Sequence, residues 1–383
     1  MIQPRLVRLL AVLLAIAGAG YLLVHAIDTI RLATATPPIH SDFHAIWSYA
    51  RVAMSDGGQA VYDQAHLWQS ELAWGRDPGR PPPLPFAYPP HFLLLIAPLA
   101  WLDYAPAYLA WVLVTATLFV LSVAGLRAKG LVLLLAPAIT AAIIYGQTGL
   151  LVAGLLVGAM RAVPTRPILA GVLLGLATCK PQLGLLIPVA LMAIGQFRVI
   201  LVATLTVLTL ILVTSALWGS ASWLAWIGVL PGYSQRFDAE MGPYWYLVPT
   251  VEGSLHQLGA STRIAQIAQM LVALPVVAAT WILFRRAAYS RALAGLLVGS
   301  FLVTPHGFVY DLPLAAAGVY IFWTTQPAPG RLVIAALLAV LVAPALMLAV
   351  PAAAPLALLA HASLFILILR AARTPKTALS WQG

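Results

Sequence analysis

Charge is what this sequence has least of. Lysine, arginine, aspartate and glutamate make up 8% of its 383 residues, while 62% are hydrophobic. A soluble domain carries about 25% charged residues, so this chain cannot cover its folded surface with polar groups, and lipid must face much of it. Cysteine is nearly absent. The single Cys179 excludes an intramolecular disulfide, and in its apolar run beside Lys180 it reads as a small core residue. No HExxH, CxxC, P-loop or Rossmann glycine pattern occurs, so no motif of a zinc hydrolase or a nucleotide-binding enzyme is present. The histidines lack metal-ligand spacing, and no internal repeat stands out. The net charge of +10 does not point to nucleic acid. The basic residues stand singly or in pairs between apolar segments, as topology determinants do.

What is abundant is apolar runs at or near the roughly 20 residues that cross a bilayer. Arg5 and Arg8 before an apolar run resemble a signal peptide, but no convincing small-x-small cleavage site follows. Leu6 to Ile27 is therefore read as an uncleaved first span. A polar loop follows over 28–88, with Asp28, Asp42, Asp56, Asp63, Glu71 and Asp77, more than half of the eleven acids. Within it, Asp42 to Met54 reads as an amphipathic helix at headgroup level, with Phe43, Ile46, Trp47, Ala50 and Met54 at helical spacing. The loop closes on a proline-rich stretch from Pro78 to Pro85.

Further spans are expected at Phe86 to Leu102 and Ala105 to Leu126, turning at Asp103, and at Val199 to Trp218. Between the last two lie four shorter runs, Leu131 to Tyr145, Leu150 to Met160, Ile168 to Thr178 and Leu183 to Ile194. A second polar loop covers 219–262. Candidates at Ile264 to Phe284, Leu293 to Thr304, Leu312 to Trp323, Leu332 to Val350 and Leu356 to Leu369 complete the series. The positive-inside rule puts Arg370, Arg373 and Lys376 in the cytoplasm. Counting back from there, and forward from the first span, places ten of eleven acids and at least six of eight histidines outside. The two counts differ by one crossing between Leu126 and Tyr145. Either a segment there is re-entrant or Ile168 to Ile194 is one kinked span. The expectation is an all-α polytopic membrane protein, a single domain over 1–383, with about 10–12 transmembrane or re-entrant helices and a long first outer loop.

Ionisable residues at membrane depth are functional hypotheses. Asp42 either caps its helix or serves as a general base at the membrane surface. Tyr88, in Tyr88-Pro89-Pro90, is a rigid interfacial entry or a site residue. Gln147, after Gly146, satisfies backbone groups or donates to a sugar hydroxyl or phosphate. Lys180, in Lys180-Pro181-Gln182, interrupts an apolar stretch. Burying it costs about 2.5–3.5 kcal/mol on insertion scales, which favours an anion such as a lipid phosphate over packing, with snorkelling as the competing account. His306 and Asp311 bracket a turn and either pair structurally or orient a phosphate or sugar. In the second loop Arg236, Asp238, Glu240 and Glu252 stand near Tyr244, Trp245 and Tyr246. Those aromatics are a membrane-interface belt or a surface for sugar rings.

The ordered set Asp42-Phe43, Tyr62, Tyr88-Pro-Pro90, Pro98-Leu-Ala100, Gly146-Gln147, Lys180-Pro-Gln182 and the late His306 resembles glycosyltransferase family 87, multispan enzymes of the GT-C fold. The resemblance runs from about Asp42 to Asp311. It implies an inverting hexosyltransferase that moves a sugar, usually mannose, from a polyprenyl-phosphate donor to a lipid or glycan acceptor. The enzyme would sit in the inner (plasma) membrane with its site on the periplasmic face. By position Asp42 is the implied catalytic base. Lys180 and His306 would meet the donor phosphate together with Arg51, and Arg76 and Arg80 are further candidates. Tyr62, Tyr88, Gln147, Gln182, Glu252 and Asp311 are the implied substrate contacts. No cofactor is implied. The family's chemistry admits a divalent metal, but no ligand cluster here demands one. The rival function is a transporter or flippase of lipid-linked sugars, for which inverted repeats and midplane polar residues are expected and not found.

Overall fold

The computed structural model describes residues 42–372 apart from 77, 80–84, 126–132, 135, 241 and 327–328, and only the backbone of 234–240 and 243. The first span, Asp28, His40, Ser41, Asp77, Arg80, most of the proline-rich stretch, Arg373 and Lys376 lie outside the described residues, as do the side chains of Arg236, Asp238 and Glu240.

Among the described residues the secondary structure is helical throughout. Five helices are long and apolar enough to cross a membrane: Tyr104–Ala124 (α4), Phe197–Trp218 (α9), Thr262–Arg286 (α12), Arg331–Ala349 (α15) and Ala354–Ala371 (α16) with its lead-in from Pro351. On α9 only Val199 and Thr214 are buried. Leu201, Leu205, Leu208 and Leu212 are exposed, a face for lipid. The shorter members are Pro137–Tyr145 (α5), Gly149–Ala162 (α6), Pro167–Ala177 (α7), Leu186–Ala193 (α8), Tyr289–Val303 (α13) and Pro313–Thr325 (α14). The protein is an all-α polytopic membrane protein.

Close packing fixes the direction of the helices. The space a Cβ would take at Gly154 is filled by Leu118, and at Gly158 by Ser122. Arg161 donates to the carbonyl of Ser122. These pairs advance together, so α4 and α6 are parallel and α5 returns between them. In the same way Gly171 meets Val202 and Gly175 meets Thr206, so α7 and α9 are parallel and α8 runs opposite to both. Ile168 to Ile194 is therefore an out-and-back pair, not one kinked span.

One end of the bundle is tied where Arg285 donates to Ala193 (3.3 Å), Tyr289 to Met160, and Arg291 to Ala371 (2.8 Å). This is the far end. The other is the site end. There α1 (Phe43–Ser55) and α2 (Gln64–Ala73) lie over the bundle with Ala221–Glu240 (α10) and Val251–Gln257 (α11).

The crossing in dispute falls earlier in the chain than the sequence placed it. His91–Ile96 (α3) and the 3-10 turn Ala97–Trp101 do not cross. They begin beside Tyr88 and end at Leu102, whose carbonyl accepts from Trp47 Nε1 of α1 at 2.9 Å. Tyr104 then packs on Phe43, His44 and Trp47. Prolines at 89, 90 and 98 break the segment too often for a continuous span, so it dips in and returns to the same end. With this segment re-entrant, the two counts agree.

A second expectation changes as well. α1 does not lie on a surface. Phe43, Ile46, Trp47, Tyr49, Ala50, Val52 and Ala53 are all buried, on several sides of the helix, while Met54 is exposed. Bundle, re-entrant segment and α2 enclose it.

Candidate functional site

The site grows from one tight turn. Gly146 ends α5 with φ +63°, a left-handed conformation that favours glycine. A Cβ there would also press on Phe43 at 2.5 Å. This close approach sets Gln147 beside the start of α1, where its Nε2 donates to Asp42 Oδ2 at 3.3 Å. Asp42 has φ −56° and ψ −22° and makes no side-chain cap. A capping residue needs an extended backbone, so this carboxylate is turned to other partners. The next residue, Thr148, shares a hydrogen bond with the Tyr88 hydroxyl (3.0 Å). Gly149 then lies against the carbonyl of Tyr310, leaving no room for a side chain. Four consecutive residues thus join α1, the Tyr88 loop and the turn before α14.

On the other side, α7 ends at Thr178 and the chain turns through Lys180 into a 3-10 segment, Pro181–Gly184. Lys180 is 5% exposed and Asp311 is fully buried. Lys180 Nζ reaches both carboxylate oxygens of Asp311, at 2.7 and 2.8 Å, and stands 5.0 Å from the Tyr310 ring centre. Asp311 also accepts from the Phe308 backbone at 3.0 Å. The ion pair ties the break after α7 to the turn before α14. A lysine has three N–H donors, so the pair leaves one to spare. His306 is held from behind. Thr250 Oγ1 donates to Pro305 (2.8 Å), and Gln269 donates to Leu302 (2.9 Å) and Val303 (3.2 Å).

These elements surround a cavity of about 730 Å³. Asp42, Tyr88, Gln147, Lys180, Gln182 and His306 line it, with Arg76, Trp226, Tyr233, Tyr244, Phe308 and Tyr310. Trp226 fixes α10 over the opening by donating to the Ala87 carbonyl at 3.0 Å.

Helix length sets the depth of the floor. With eleven residues, α7 is roughly 17 Å long at 1.5 Å per residue, against a hydrocarbon core of roughly 30 Å. Arg166 caps its far end. The break at Lys180 thus stands one short helix, less than a hydrocarbon thickness, from Arg166.

The remaining expected residues stand apart from the cavity. Arg51 of α1 lies over the rings of Trp47 (4.7 Å), on the same helix, and Trp74 (5.0 Å), at the end of α2. Tyr62 is buried and donates to the Tyr88 carbonyl at 2.8 Å, so it supports the Tyr88 loop. Its burial pushes the phenol well above the ordinary value, so it stays protonated. Glu252 is buried on α11, and its backbone donates to Gln269 (3.1 Å), the residue that clamps the end of α13. Asp311 sits behind Lys180. Trp245 stacks on His256 at 4.1 Å, while its neighbour Tyr244 reaches the cavity.

Four participants were not picked out from the sequence: Trp226, Tyr233, Phe308 and Glu71. Glu71 is fully buried and takes Arg76 Nη1 on Oε2 at 2.9 Å. Burial raises its carboxyl from 4.5 to about 7, against the opposing pull of Arg76. The five-residue spacing of Glu71 and Arg76 was the only signal for that pair. Among the described residues no group of three or more His, Cys, Asp or Glu side chains is placed to hold a metal ion.

Comparison with known proteins gives one match. The sequence model of glycosyltransferase family 87 fits residues 86–305, more than half of the chain. No curated protein and no solved structure matches.

Proposed function

The chain belongs to glycosyltransferase family 87, and from that premise we propose that it moves a sugar, mannose in the first instance, from a polyprenyl-phosphate donor to a lipid or glycan acceptor. The observation that carries this reading is the single cavity in which Asp42, Gln147, Lys180, Gln182 and His306 meet from four separate stretches of chain. Its floor, one short helix from the far end of an apolar bundle, suits a substrate whose reacting group is carried on a lipid. The missing nucleotide-binding motif suits one that brings no nucleotide.

The chemistry follows from the groups present. The acceptor oxygen attacks the anomeric carbon and gives its proton to Asp42. The bond from that carbon to the phosphate oxygen breaks, and the phosphate leaves with the electron pair. Attack opposite the leaving group inverts the configuration. A phosphate leaves without protonation, so no general acid is needed. N–H donors against the developing charge are needed, and the spare donor of Lys180 and the imidazole of His306 supply them. Gln147, hydrogen-bonded to Asp42, orients the carboxylate. Tyr88, Gln182 and Tyr244 offer hydroxyl, amide and ring contacts to the sugars.

Sidedness follows from charge. Arg161, Arg166, Arg198, Arg285, Arg286, Arg291 and Arg370 lie at or near the far end. The positive-inside rule makes that the cytoplasmic end and the cavity extracytoplasmic, in the plasma membrane.

The test uses the purified full chain, labelled mannose on either a polyprenyl phosphate or a nucleotide, and a membrane lipid extract. Labelled product is expected from the lipid-linked donor alone. Product from the nucleotide sugar alone would overturn the donor assignment. Passage of the donor between leaflets without product would favour a flippase.

A further inference from the structure

The cavity holds two cations, and their surroundings differ. Lys180 faces both oxygens of Asp311, so its charge is matched one for one. Arg76 has a single contact with its carboxylate, Nη1 to Glu71 Oε2 at 2.9 Å. Its Nε is buried with no hydrogen-bond partner, and so is Oε1 of Glu71. Buried polar atoms in native proteins are almost always satisfied, and those left over call for an explanation. Arg76 also stands over the Trp68 ring at 5.6 Å, and its backbone N–H donates to the Glu71 carbonyl at 3.0 Å. Its position is thus fixed from three sides, its Nε and Oε1 of Glu71 are buried beside each other, and the one-fifth of the side chain that stays exposed lines the cavity. A guanidinium in this state suits a phosphate, which accepts from two donors of the fork at once.

Charge balance leads to the same residue. Asp42 already places a negative charge in the cavity. An anionic phosphodiester entering beside it needs a cation that, among the described residues, no carboxylate has fully matched. Lys180 brings a spare donor there but no net charge, since Asp311 balances it. Glu71, whose carboxyl burial inclines toward the neutral form, leaves Arg76 nearer to a whole positive charge.

We propose that Arg76 is the principal contact for the phosphate of the lipid-linked substrate, with Glu71 as the positioning residue that aims it into the cavity and Lys180–Asp311 as the wall it works against. This rests on the lipid-phosphate reading above and adds the residue that recognises the phosphate.

The experiment compares binding of polyprenyl phosphate with binding of the uncharged polyprenol, using the full chain in nanodiscs. The wild type is expected to prefer the phosphate. Replacing Arg76 alone would strand a buried carboxylate, so the informative variant is the double change Arg76→Gln with Glu71→Gln. Its preference for the phosphate should fall about tenfold to a hundredfold, the range of a hydrogen bond to a charged group, with polyprenol binding unchanged. Arg76→Lys on the Glu71→Gln background should restore part of the preference. A structural role alone would lower both affinities together. An unchanged preference in the double variant would overturn the assignment to Arg76 while leaving the donor reading intact. No preference in the wild type would overturn the donor reading itself.

Discussion

Two ion pairs border the same cavity, and they are built differently. In Lys180–Asp311 both carboxylate oxygens are engaged, one of them twice, by Lys180 and by the Phe308 backbone. The partners are 131 residues apart, and the pair locks two breaks in the helical bundle against each other. In Arg76–Glu71 the partners are five residues apart, and each keeps a buried atom with no hydrogen bond. In the first pair the carboxylate is saturated, and the pair serves as wall. The second is joined by one hydrogen bond, and its arginine lines the cavity. A buried ion pair is weak evidence for stability, because desolvation offsets much of the attraction. What separates these two is therefore the completeness of their partners rather than the presence of charge.

The strongest way to break the contrast is Asp311→Asn. It strands a buried lysine and should cost about 3–5 kcal/mol, read as a large drop in Tm in detergent. The double change Lys180→Met with Asp311→Leu should recover most of that loss. A cost below about 1 kcal/mol for Asp311→Asn would mean that the pair is no lock.

The second pair should show itself through pH. Burial raises the Glu71 carboxyl from 4.5 to about 7, so the folded state holds this proton more tightly than the unfolded chain. Its contribution is full below about pH 4.5 and is lost as pH rises through about 7. The shift corresponds to about 3 kcal/mol. Glu71→Gln should remove that slope, seen as the difference between the two Tm–pH curves. The groups facing Glu71 are Arg76 and, on α1, Tyr49. Identical curves would place Glu71 in a wetter setting than its burial implies.

A smaller effect is expected at the turn that joins the two sides. Gly146→Ala forces a left-handed residue at about 1–2 kcal/mol, adds a clash with Phe43 and moves Gln147 from Asp42. Transfer rate should fall more than stability. Full activity would show that the Gln147–Asp42 contact is dispensable.

Much of this molecule is legible from its sequence, and the limits have physical causes. Apolar runs give the helices, because a bilayer demands them in lengths that composition reveals. The breaks at Gly146-Gln147 and Lys180-Pro181-Gln182 stand out as polar residues in apolar surroundings, and both fall at the cavity. The re-entrant path of 91–101 does not stand out, because a short apolar helix that dips and returns has the composition of one that crosses. The bond from Trp47 to Leu102 and the packing of Tyr104 on α1 distinguish them, with the prolines at 89, 90 and 98 as the sequence's hint. The Lys180–Asp311 pair and the contact of Gln147 with Asp42, 105 residues apart, are invisible to periodicity, which reports on neighbours along the chain. Arg51 and Arg76 look alike in sequence. One rests on two indoles, the other lines the cavity, and only packing decides between them.

The central claim is that Asp42 takes the acceptor's proton in this cavity. The direct measurement is the rate of sugar transfer from polyprenyl-phosphate mannose by Asp42→Asn beside the wild type, with Tm and donor affinity measured on the same samples. The account predicts a rate lower by about a hundredfold to ten-thousandfold with Tm and donor affinity unchanged. Transfer at the wild-type rate by the folded variant would contradict it.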